Sequence, residues 1–130
     1  VSGRQRGIVL LASLVLVLIL GVLGLSAMHS AAVQARIVGN QAAALQAFEN
    51  AEAALLAGEA STAGALLAGP GFRVDYLGVS DLALGLPDGV SAALYRVTAG
   101  HAQVVLESFF ARPLDAPGLA ARRIAWRQIR

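Results

Sequence analysis

The sequence predicts an α+β fold: a long N-terminal α-helix, transmembrane in its first half and amphipathic in its second, packed against a small antiparallel β-sheet. Three observations predict it. From Ile8 to Met28 there is no charged residue over 21 positions. From His29 to Ala57 no proline occurs, and alanine, glutamine, leucine and glutamate fill a helical pattern. Beyond Pro70 the chain changes to short runs of β-branched and aromatic residues divided by glycine and proline.

Composition narrows what such a chain does. Of 130 residues, ten are arginine, none is lysine, and the net charge is +2. Setting the apolar run aside leaves enough chain for one modest core. There is no cysteine, which excludes disulfides, thiolate zinc sites and cysteine nucleophiles. Nucleic-acid binding wants a basic stripe interleaved with aromatics. The nearest match is RRIAWRQIR, with Arg122, Arg123, Arg127 and Arg130 around Trp126. A terminal strand with solvated arginines explains it, so no nucleic acid is expected as a partner.

Taken in order, residues 1–7 form a polar leader in which Arg4 and Arg6 precede Gly7. Residues 8–28 form the membrane segment: at ~1.5 Å rise per residue they span roughly 30 Å, the thickness of a bilayer's hydrocarbon core. A secretory signal has a shorter apolar region, about 7–15 residues. Arg4 and Arg6 stand directly before the run, and the next charge is Arg36. The positive-inside rule therefore places the N-terminus in the cytoplasm and the remainder outside. Gly21 and Gly24 lie within the run, but a spacing of three does not specify a GxxxG dimer.

Residues 29–57 extend the helix. Leu45, Phe48, Ala51 and Leu55 recur at spacings of three, three and four, forming one apolar packing face with Glu49 and Glu52 to its side. Gly39-Asn40 is either a break between two helices or a soft point within one long helix, the glycine costing roughly 1 kcal/mol. The pattern resumes at once without a turn's worth of polar residues, which favours the second. Residues 58–130 form the small sheet region. Gly58, Gly64 and Gly69-Pro70-Gly71 end the helix and open a loop. Strands are expected at 72–79, 93–99, 102–112 and 122–129, with a hairpin turn at Gly100-His101 and a loop bracketed by Pro113 and Pro117. Three or four such strands offer one apolar face for the helix to cover.

No enzyme is visible in these residues. His29 sits at the membrane edge and His101 in the expected turn, neither with a second plausible ligand nearby. Ser80-Asp81 and Asp115 lack a nucleophile elbow or a glycine-rich phosphate loop. Asp75, Asp81 and Asp88 are too scattered for a calcium loop. No metal and no cofactor is expected.

In their order and spacing these parts resemble type IV pilins, and more narrowly the minor pilins of the PilX family. The resemblance is carried by Arg4-Gln5-Arg6-Gly7 and by Leu23-Gly24-Leu25-Ser26-Ala27-Met28. Gly39-Asn40, Ala47-Phe48 and Ala51-Glu52-Ala53-Ala54-Leu55 continue it. Tyr95-Arg96-Val97-Thr98 and Val104-Val105-Leu106-Glu107-Ser108 look like the family's late strand pair. The likeness is dense over residues 4–56 and thin over the sheet.

It implies that prepilin peptidase cuts after Gly7, leaving Ile8 as the mature N-terminus. The apolar run would then be stored in the inner membrane and become a packing spine when the subunit enters a fibre. Implied partners are other minor pilins, the major pilin, prepilin peptidase, the inner-membrane assembly platform and the lipid bilayer. The implied role is initiation of pilus assembly at or near the fibre tip. Most pilins carry a glutamate at mature position five, where this chain has Ala12. Two other readings remain open: a K-like pseudopilin of a type II secretion system, and an unprocessed bitopic sensor or binding domain.

Overall fold

The computed structural model describes residues 3–64, 67–83 and 85–130, with the side chains of the helix from residue 7 onward. It contains one helix, α1 (Gly3–Ser61), followed by β1 (Ala68–Gly69), β2 (Phe72–Ser80), β3 (Ala92–His101), β4 (Val104–Pro113) and β5 (Arg122–Gln128). The strands pair antiparallel in chain order, β1-β2-β3-β4-β5. This is the expected α+β architecture, with five strands rather than three or four; the addition is the two-residue β1.

The chain divides into two units, Val1–Ala42 and Ala43–Arg130. In the first, α1 is exposed at every described position from Gly7 to Ala42. Gly39 and Asn40 lie inside α1 without a break in the helix. In the second unit, the last turns of α1 cover one face of the sheet. Ala51 and Leu55 are fully buried there with Val74, Val97, Ala99 and Leu106, and Phe48, Ala54, Phe72, Tyr95 and Val104 pack around them.

The helix runs to Ser61, past the expected end at residue 57, and Gly58 lies within it. The reason is packing. A Cβ on Gly58 would stand 2.5 Å from Val97 Cγ1 and 3.1 Å from Phe72 Cδ2, so this glycine lets helix and sheet approach instead of ending the helix. Termination comes later, through i→i+3 bonds from the N–H groups of Thr62, Ala63 and Gly64 to Glu59, Ala60 and Ser61. Pro70 and Gly71 then form the two-residue turn between β1 and β2. Gly71 has φ +78°, a conformation that proline followed by glycine supplies in a type II turn.

The β3–β4 hairpin differs from expectation by two residues. Gly100 and His101 pair with Val105 and Val104, and the turn falls on Ala102 and Gln103. Ala102 adopts φ 51° to make it. Ladder pairing across Gly100 outweighs the turn preference of that glycine. On the sheet face away from α1, Ala83, Ala92 and Ala111 form a second small core with Leu86, Leu94 and Ile124. The loop between β2 and β3 thus covers part of that face.

Candidate functional site

Local chemistry first separates two regions of α1. From Ile8 to Met28 every large apolar side chain is exposed, from 47% at Val15 to 73% at Leu10 and Met28. The one hydroxyl near its start is satisfied locally, with Ser13 Oγ donating to the Leu10 carbonyl at 2.8 Å. Such a surface has no stable home in water. At ~25 cal/mol per Å² of apolar area, its burial against lipid or other apolar helices would be favourable. By length and composition this helix is apolar enough to cross a membrane. Gly7 is helical with open space beside it, and Ile8 is exposed. Ala12 is exposed as well. The side chains of Arg4 and Arg6 lie outside the described residues.

The packing face is the second region. Ala51 and Leu55 are buried and Phe48 is half-buried, but Leu45 is 65% exposed. The face seated on the sheet therefore starts at Phe48, one turn later than the spacing predicts. Phe48 meets Trp126 of β5 edge-on, with ring centroids 6.2 Å apart.

A polar joint closes the far end of that face. Glu59 is buried, and its carboxylate accepts from Ser108 Oγ at 2.6 Å and from Arg123 at 2.7 and 3.2 Å. Arg123 also approaches Glu52 at 4.0 Å. Arg112 donates to Thr62 Oγ1 at 3.0 Å. Two turns of α1 are thereby tied to β4 and β5. On the other face of the sheet, buried Glu107 pairs with Arg127 at 2.6 Å. Arg123 is thus a half-buried ion-pair partner and not the solvated arginine expected, whereas Arg127 is paired with Glu107 and still largely exposed. Periodicity offered one missed signal: Glu59 stands four residues after Leu55, on the same helical stripe, so a carboxylate there must be buried and paired.

The residues weighed for chemistry do not converge. Among the described residues no group of three histidine or carboxylate side chains gathers to hold a metal ion. Asp75 is engaged by Arg73 at 3.2 Å and Arg96 at 3.5 Å. Ser80 Oγ accepts from the Leu82 N–H at 3.1 Å, a local turn contact. A groove of about 270 Å³ beside Leu77, Leu94, Phe109 and Ile124 is lined by no carboxylate, histidine or arginine.

A long helix with an exposed apolar first half, whose end packs on an antiparallel meander, is a pilin-like α+β architecture. Residues 6–56 match the family model described as PilX N-terminal. The matched segment is the helix; the sheet lies beyond it. No curated protein matches the chain. No solved structure matches it either.

Proposed function

We propose that this chain is a minor pilin that takes part in starting type IV pilus assembly, at or near the fibre tip. One observation carries the reading. The uncharged helix beginning at Ile8 is exposed on every side, and it falls inside the segment matched by the PilX N-terminal family. A helix comfortable among lipid tails is equally comfortable against similar helices, so one surface serves both storage and assembly. The family is structural, and the subunit acts by packing rather than catalysis. Other minor pilins, the major pilin and the assembly platform are its partners on this reading. The bilayer holds it beforehand, with the N-terminus cytoplasmic and the sheet periplasmic.

The tip position follows from Ala12. A new amino terminus buried among apolar helices is costly unless a carboxylate pairs with it. A subunit with alanine at mature position five cannot offer that pairing to a neighbour.

The test is the mass of the N-terminal peptide of membrane-extracted protein, with and without prepilin peptidase. A chain starting at Ile8 only when the peptidase is present is the expected result. A chain retaining Arg4 and Arg6 in both samples makes the helix a permanent anchor and ends the minor-pilin reading.

A further inference from the structure

We propose that the free edge of β5 takes an extended acidic segment of another protein as an added strand. The inference stands on the sheet alone and does not depend on the pilus reading.

Among the described residues no strand lies beyond β5. An edge strand leaves alternate N–H and C=O groups pointing outward, a ready template for another chain. The pairing of β5 with β4 slips between Phe109 and Phe110, opposite residues 123–125. Past that irregularity the pairing is regular from Ala125 to Gln128, and Val105 then bonds both Ile129 and Arg130, its carbonyl accepting from both N–H groups. The opposite edge is less suitable: β1 covers the start of β2, and the register of β2 shifts between Tyr76 and Gly78.

Charge decides the occupant. The last 15 residues carry four arginines and no acid. Three carboxylates reach them: Glu59 and the more distant Glu52 at Arg123, and Glu107 at Arg127, which leaves Arg130 without a carboxylate partner among the described residues. Arg127 remains 67% exposed and Arg130 is exposed. A second copy docking edge to edge would set arginines against arginines, which is destabilising. A strand bearing carboxylates meets the opposite situation. Neighbouring residues of a strand point to opposite faces, so an added strand lies beside Arg127 on one face and Trp126 on the other. Trp126 is 42% exposed and offers apolar contact there. The fitting partner alternates acidic and apolar residues. A nucleic acid has no backbone to complete the ladder, and only one indole is present for stacking.

The experiment uses the full chain in neutral detergent micelles and a short peptide alternating glutamate and valine. Trp126, the only tryptophan, reports binding by fluorescence. Hydrogen exchange over residues 125–130 reports strand pairing. The proposal expects saturable binding with slowed exchange in β5 and at least about tenfold weaker binding of the lysine–valine counterpart. Arg130→Glu, at an exposed position, weakens the glutamate peptide several-fold without changing the circular dichroism spectrum. Equal binding of the lysine peptide or of a short oligonucleotide, binding without slowed exchange in β5, or no binding overturns it.

Discussion

Gly58 and Ala102 show how single residues carry the fold in opposite ways. Helix propensity alone favours alanine over glycine by about 1 kcal/mol in a helix interior. At Gly58 the added methyl would press on Val97, which is fully buried and β-branched, so it cannot give way cheaply. Overpacking of this kind costs about 1–3 kcal/mol, and Gly58→Ala is predicted to lower the midpoint of denaturant unfolding. Ala102 is the reverse. It holds φ 51°, where an L-residue pays roughly 1 kcal/mol and glycine pays little. Ala102→Gly is predicted to raise the same midpoint. An unchanged or lowered value would mean that the turn's strain is relieved in another way.

At the scale of elements, the last turns of α1 and the sheet form one packed unit, and the contact has a definite start. Leu55 is fully buried whereas Leu45 is exposed, although both belong to the same apolar spacing. Leu55→Ala is predicted to cost about 2–5 kcal/mol, and Leu45→Ala no more than about 0.5 kcal/mol, in unfolding of the sheet unit. The polar joint supplies a further prediction. Glu59→Ala leaves the Arg123 guanidinium without its main partner at a site only 28% exposed. Breaking a buried pair from one side costs about 3–5 kcal/mol. The Glu59→Ala, Arg123→Ala double variant should lose less than the sum of the two single variants. Strict additivity of the three melts would show that the pair is not coupled.

At the scale of the whole molecule, the exposed apolar helix and the self-contained sheet divide the labour. The sheet unit, Ala43–Arg130, supplies its own core through Leu55, Val97 and Leu106, and the helix from Gly7 to Ala42 is exposed throughout. On the proposed reading that exposed surface is what assembly uses. Installing a carboxylate at mature position five tests the tip assignment. Ala12→Glu is predicted to increase incorporation along the pilus shaft, measured by quantifying the subunit in sheared fibres. Equal amounts of wild type and variant in the shaft would remove Ala12 as the determinant of position.

Much of this was written in local pattern. The absence of charge from Ile8 to Met28, the helical spacing through Leu55 and the β-branched runs after Pro70 determine a long helix followed by an antiparallel sheet. They do so because periodicity and solvation act on neighbouring residues, whatever the rest of the chain does. Only the tertiary structure decided where the helix meets the sheet. Leu45 and Leu55 read alike in one dimension, and the sheet covers only the second. Gly58 reads as a helix end until Val97 and Phe72 lie against it. Arg123 reads as solvated until the fold brings Glu59, 64 positions away, to 2.7 Å. Close approach and burial are set by residues distant in sequence, and only folding brings them together.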